Sequence, residues 1–317
     1  MSGRVFTAGE AMALLDPLGD GPLALGTEMT LRFAGAEANF AIALARLEVP
    51  VAWASRLGAD PFGRLIRDAL AGEGVDTTWV VEDREAPTGV FFKWREAGRS
   101  RVEYRRAGSA ASRLEPADVP AAALDGAALV HLTGITTALG DGPRALVHDL
   151  AARAAAAGAT LLFDPNLRPV LWPDAAAAAA AHVELLGIVD WYLCGAEEGA
   201  ALWGEQDPRR LAAALQARGA GGVVVRVGAE GAWVAAPGAP AELVAPPRDE
   251  QVIDEIGAGD AFAAGFTYGL LGGRAPAECV RLAHTLAATA LRGTGDWETL
   301  PRLAEFSPGP GGRPAGR

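Results

Sequence analysis

The sequence predicts an α/β fold, a mostly parallel sheet flanked by helices, with a small second β layer. Short apolar runs alternate with segments of helical period, the rhythm of repeated strand–helix units. Two stretches, about 12–34 and 88–108, break that rhythm and read as extra strands. Half of the 317 residues are hydrophobic, which supplies a sizeable core. The length suits one large domain with an appended piece, or two modest domains.

Central strands are expected at Val5–Gly9, Val51–Leu57, Ala128–Gly134, Thr160–Asp164, Val189–Cys194 and Gly222–Val227. Helices are expected at Ala36–Leu47, Phe62–Glu73, Pro143–Ala157, Asp174–Gly187, Glu197–Trp203, Pro208–Arg218, Gly257–Leu271 and Pro276–Arg292. Leu211 and Leu215 share one face at helical spacing. Val90–Trp94 and Arg101–Arg105 flank a turn at Glu96–Arg99 and read as a hairpin. We take it, with the turn-rich segment Pro22–Phe33, as a β-lid inserted into the main domain; an edge hairpin of the main sheet is the alternative. The domain is expected to span 1–306. The Pro- and Gly-rich tail 307–317 is expected to be disordered.

The net charge of −11 argues against nucleic-acid and membrane-surface partners, which require a cationic face. No apolar run is long enough to span a bilayer, and the N-terminus enters a strand rather than a secretory signal, so a cytoplasmic location is expected. Cys194 and Cys279 form no disulfide framework and no metal spacing, and read as buried apolar residues. Lys93 is the only lysine among 28 basic residues, and no Gly-Lys pair exists, which removes a Walker A loop. No Gly-x-Ser-x-Gly elbow occurs. The four histidines, His131, His148, His182 and His284, show no metal-ligand spacing. Gly257-Ala258-Gly259 begins like a dinucleotide fingerprint, but Phe262 stands where its third glycine belongs, which argues against a nicotinamide oxidoreductase.

The segment Asp254 to Gly265 carries the most chemistry. A Gly-rich turn opens a helix, so backbone N–H groups can approach an anion. Asp260 lies in the first turn, where a carboxylate can accept the proton of a hydroxyl nucleophile. Anion cradle plus adjacent base is the equipment of phosphoryl transfer. A simple helix-capping role for Asp260 is the alternative.

Gly257-Ala258-Gly259-Asp260, with Asp254 upstream, resembles the C-terminal signature of the ribokinase-like (PfkB) carbohydrate kinases. Ala34-Gly35-Ala36-Glu37-Ala38-Asn39-Phe40-Ala41 is similar to the N-terminal signature, and Gly58 to Gly63 and Pro87-Thr88-Gly89 follow in the family's order. The resemblance runs over about residues 3 to 297. It implies a Rossmann-like sheet with a β-lid, ATP as donor and a divalent cation, usually Mg²⁺. It also implies Asp260 as base, with the N–H groups of Gly257, Ala258 and Gly259 as anion hole. Glu198 would organise Mg²⁺ through water. Asn166, Gly195, Arg226, Gly228, Gly231 and His284 would meet the nucleotide. The chain departs from the family pattern at Ala34 and Gly195, where Gly and Asn are usual, and at Glu255 and Ile256, where threonines are.

Arg106 ends the lid hairpin and Arg168 follows a central strand, so both can supply guanidinium forks suited to a carboxylate. For Arg106 the alternative is a solvated lid residue; for Arg168 it is a structural ion pair. The surrounding blocks resemble the 2-keto-3-deoxygluconate kinases of the family more than the ribokinases or fructokinases. By that resemblance Gly35, Asn39, Phe91, Tyr104, Arg106, Ile135, Arg168 and Asp296 line the substrate site. The implied reaction phosphorylates the 6-hydroxyl of a sugar acid. Another sugar substrate and a sugar-binding regulator without catalysis are the rivals. Lids of this family pair between subunits, and Val90, Phe91, Phe92 and Trp94 would permit a homo-oligomer.

Overall fold

The computed structural model describes residues 3–96, 99–247, 257–293 and 295–306. Its main sheet has nine strands in the order β13-β12-β11-β10-β9-β8-β1-β4-β5. Seven of them are parallel: β1 (Arg4–Ala8), β4 (Val51–Gly58), β5 (Val80–Asp83), β8 (Ala127–Thr133), β9 (Thr160–Asp164), β10 (Trp191–Gly195) and β11 (Gly222–Arg226). The last two, β12 (Ala232–Ala235) and β13 (Glu242–Val244), run antiparallel at one edge. The central strands are apolar throughout because both faces are covered by helices. On one face α1 (Ala36–Arg46), α8 (Ala258–Leu271) and α9 (Pro276–Ala290) bury Phe40, Leu44, Phe266 and Leu286. On the other, α4 (Asp141–Ala157), α5 (Ala175–Leu186) and α7 (Pro208–Ala217) bury Leu146, Leu150, Leu185, Leu211 and Leu215.

Local chemistry fixes the helix starts. In α2 (Pro61–Gly72), Asp60 caps by accepting from the Gly63 N–H at 2.9 Å, and Pro61 fills the first position, where no N–H is needed. Ile66 and Leu70, four apart, then meet the core. The expected central strands and helices are present with ends shifted by up to two residues. The short strands β5, β12 and β13 are not among the expected ones. Both cysteines are buried and unbridged.

A separate four-stranded sheet, in the order β3-β2-β6-β7, stands over the carboxyl ends of the main strands. It joins β2 (Met12–Pro17), β3 (Met29–Ala34), β6 (Val90–Glu96) and β7 (Arg99–Arg105). The hairpin is therefore not an edge of the main sheet. β6 alternates: Phe91 and Lys93 are buried, while Val90, Phe92 and Trp94 on the opposite side stay partly exposed. Phe91 thus packs inward beside Met12, Leu14, Ala34 and Tyr104, and is not part of any outer docking face. The tail 307–317 and Asp254, Glu255 and Ile256 lie outside the described residues. Among the described residues, no helix is long and apolar enough to cross a membrane.

Candidate active site

Between the two sheets lies a cleft of about 1180 Å³. That exceeds the roughly 300–1000 Å³ of a pocket for one small molecule, so it has room for two ligands. The parallel strands aim their carboxyl ends into it, which is where open α/β sheets bind ligands. Glu10 lies just beyond β1, Ile135 follows β8, Asn166 and Arg168 follow β9, and Gly195 ends β10. Gly228 and Gly231 follow β11. The small sheet adds Met12, Phe91, Lys93, Val102 and Tyr104, and Arg106 follows its last strand. Gly35 and Asn39 come from the start of α1, and Gly257, Ala258, Gly259 and Asp260 from the start of α8. Glu198, Arg226, His284 and Asp296 also line it, so all of the candidate catalytic, substrate, nucleotide and cation residues named from the sequence border this one cleft.

Asp260 sits where the first turn of α8 faces α1. Asn39 Nδ2 donates to its Oδ2 at 2.8 Å, and Asn166 Nδ2 approaches Oδ1 at 3.4 Å. Its bonding crosses between elements, so Asp260 is not a self-contained helix cap. Burial pushes its carboxyl up to about 6, against the Asn39 hydrogen bond and the Arg168 charge, which hold it down. The result is a carboxylate that is ionised at neutral pH yet more basic than an ordinary aspartate. The N–H groups of the first turn of α8 have no partners within the helix and open toward the same space. Gly257 takes φ 78°, and a Cβ there would lie 2.1 Å from the Asp296 carbonyl oxygen. Only glycine permits this crossing.

A buried ionic network supports that turn. Arg226 donates to Asp164 through Nη1 at 2.9 Å and Nη2 at 3.3 Å, and Nη2 reaches Glu198 at 3.4 Å. The same Nη1 approaches the Gly259 carbonyl at 3.4 Å, tying the helix start to the end of β11. Glu198 also accepts from the backbone N–H groups of Gly195 at 2.7 Å and Leu167 at 2.9 Å. His284 lies against the Phe262 ring, 5.2 Å between centroids, and its Nε2 is 3.2 Å from the Val244 carbonyl. Burial lowers its pKa, so the ring is neutral and Nε2 is the donor.

The two arginines diverge. Arg168 is exposed to the cleft, and no ion-pair partner for it exists among the described residues. Arg106 is neither solvated nor unpaired: its side chain is 10% exposed and its Nη2 forms an ion pair with Glu10. Glu10 was not singled out in the sequence, nor was Glu37. The latter is fully buried at the start of α1 and accepts hydroxyl hydrogen bonds from Thr133 at 2.6 Å and Thr136 at 2.7 Å. Burial raises its carboxyl to about 7, with those hydroxyls opposing. Only its place inside the N-terminal signature pointed to it.

The pfkB family carbohydrate kinase profile matches residues 3–303. The chain belongs to the PfkB family of carbohydrate kinases. It is 35% identical over 305 residues to 2-dehydro-3-deoxygluconokinase of Bacillus subtilis, covering 95% of this chain and 94% of that protein. To the Thermoproteus tenax protein of the same name it is 37% identical over 301 residues, covering 94% and 91%. Among solved structures, a PfkB protein from Polaromonas sp. superposes with a TM-score of 0.87 at 39% identity, covering 96% and 99%. Fructokinase with bound ATP from Xylella fastidiosa does so with a TM-score of 0.87 at 25% identity, covering 96% and 97%. The two-sheet architecture is therefore that of the ribokinase-like sugar kinases, and this kinase presents its cleft at the same edge of the sheet that the topology favours.

Proposed function

We propose that this kinase transfers the γ-phosphoryl group of ATP to the 6-hydroxyl of 2-dehydro-3-deoxy-D-gluconate. The observation that carries the reading is the recessed Asp260, set beside a helix N-terminus and Arg168, which has no ion-pair partner among the described residues, in one two-ligand cleft. Two full-length relatives named for that substrate support the choice. Asp260 takes the proton as the hydroxyl oxygen attacks phosphorus. The bond from phosphorus to the β-phosphate oxygen breaks, and ADP leaves. The N–H groups of Gly257, Ala258 and Gly259 face the transferring group, and Arg168 adds positive charge there. The sugar acid occupies the side of the cleft under the small sheet, with its carboxylate on Arg106. Gly35, Asn39, Phe91, Tyr104, Ile135 and Asp296 surround it. The nucleotide occupies the other side, along Gly195, Gly228, Gly231 and His284. A neutral His284 bonded through Nε2 leaves Nδ1 as an acceptor for a base amino group.

Mg²⁺ fits as an ion carried by the phosphates. Among the described residues no cluster of three or more His, Cys, Asp or Glu could hold it directly. The Glu198 oxygens each hold a backbone N–H and keep further lone pairs, which suits contact through the ion's waters. The bound ion would neutralise phosphate charge. We also place the protein in the cytoplasm, and assign the outer side of the small sheet, with Leu31 and its neighbours Phe92 and Trp94, to pairing of two copies.

Two outcomes test this reading. Arg106→Ala should raise KM for the sugar acid by about 30-fold, the scale of losing a charge-assisted bidentate contact, while KM for ATP moves little. Equal shifts in both constants would remove the carboxylate assignment. The pH dependence should have two opposed signs. Protonated Asp260 cannot accept a proton, so kcat/KM for the sugar acid should rise through pH about 6, the free-enzyme value, and then level off. Glu37, whose folded pKa is raised, favours the folded state when protonated; that stability fades as pH climbs from 4.5 through about 7. Parallel kcat/KM and melting profiles check this; a kcat/KM flat from about pH 5 to 8 would sink the base assignment.

A further inference from the structure

We propose that Glu10 is the positioning residue that aims Arg106 at the substrate carboxylate. This rests on the reading of Arg106 given above. Glu10 lies just past β1, at the crossing from the main sheet to the small one, and its side chain is 1% exposed. Its two oxygens are divided between two neighbours that both come from the end of the lid hairpin. Oε1 accepts from the Ser109 hydroxyl at 2.6 Å, and Oε2 pairs with Arg106 Nη2.

Two glycines approach Glu10 closely. A Cβ on Gly89 would lie 2.9 Å from Oε1, and one on Gly35 would lie 2.2 Å from the Glu10 carbonyl oxygen. Arg106 is gripped on a second side, with its guanidinium carbon 5.6 Å from the centre of the Tyr104 ring. One edge of the planar fork is thus fixed to the main domain while its face rests on the lid. Arg106 still lines the cleft, and its Nε is buried with no hydrogen-bond partner. A guanidinium has five donors, so giving Nη2 to Glu10 leaves donors for a second carboxylate.

A mobile arginine must be ordered by the substrate that it binds, and that ordering weakens binding. Glu10 orders Arg106 beforehand. It also places a negative charge near the incoming carboxylate, which acts in the opposite direction. The ion pair decides between the two: Glu10 borders the cleft, but its side chain is only 1% exposed and its Oε2 is engaged by the guanidinium, so the positive fork offsets its charge.

The test is steady-state kinetics with ATP and 2-dehydro-3-deoxy-D-gluconate on wild type, Glu10→Gln, Arg106→Ala and the double variant, with melting curves for each. Glu10→Gln should raise KM for the sugar acid about tenfold while KM for ATP stays within about twofold. In the Arg106→Ala background the same change should add nothing, because the two residues act as one unit. Ser109→Ala, which frees one Glu10 oxygen and leaves every charge in place, should raise the same KM about threefold. An unchanged or lowered sugar-acid KM in Glu10→Gln, or an additive double variant, would overturn the proposal. If Arg106→Ala raises that KM and neither Glu10→Gln nor Ser109→Ala does, the proposal alone fails. If Arg106→Ala leaves it unchanged, the carboxylate reading beneath it fails.

Discussion

Asp260→Asn is expected to lower kcat by about 10³-fold while ATP still binds, the scale of losing a well-placed general base. The substitution keeps the shape of the side chain and removes only its capacity to take a proton. Asn39 Nδ2, now 2.8 Å from Oδ2, can donate to the new amide oxygen. Asn166 Nδ2 faces the other position at 3.4 Å, so its amide must turn to present oxygen instead. The fold should tolerate this. The folded pKa of Asp260 is raised to about 6, so its ionised form opposes folding at neutral pH, and a neutral amide removes that cost. The gain is on the order of 1 kcal/mol, because cleft water screens the charge. The expected variant is dead as a catalyst, equal or slightly higher in melting temperature, and normal in ATP titration by calorimetry. Near-normal turnover would show that another group takes the proton.

The chemistry around Asp260 was legible because it is local. Gly257, Ala258, Gly259 and Asp260 are consecutive, so a glycine turn, a helix start and a carboxylate can be read from one short segment. The long strands were legible for the same reason: β9 reads Thr-Leu-Leu-Phe-Asp, and its apolar run needs cover on both faces. The residues that were missed depend on distant partners. Glu10 meets Ser109 and Arg106 across nearly a hundred positions, and in sequence it is an unremarked acid after a strand. The network that Arg226 makes with Asp164 and Glu198 likewise joins residues 62 and 28 positions away, which the sequence does not show. The strands β5, β12 and β13 are only three or four residues long, so neither length nor alternation separates them from loops. The small sheet was anticipated, but the inward side of Phe91 followed only from the pairing with Tyr104, whose ring stacks on it at 5.6 Å.

Gly257→Ala is expected to cut kcat by about 10²-fold with a smaller effect on KM for ATP, comparable to the loss of a preorganised donor to a developing charge. Two penalties meet at this residue. Its φ of 78° is a left-handed conformation that costs an alanine on the order of 1 kcal/mol. Its Cβ would also lie 2.1 Å from the Asp296 carbonyl oxygen, far inside van der Waals contact, and that neighbour is backbone rather than a side chain that can rotate. Relief requires the start of α8 to move away from the 296 segment. That shift carries the N–H groups of Ala258 and Gly259 off the transferring phosphoryl and displaces Asp260 relative to Asn39. Gly259→Ala is the control. Its Cβ would meet only the Arg226 side chain, at 3.4 Å, in an ordinary right-handed helical turn, so the loss in kcat should stay within about tenfold. Turnover and ATP titration of the two variants side by side separate the cases. Equal losses at both positions would mean that bulk near the phosphates, rather than the backbone path through Gly257, limits the reaction.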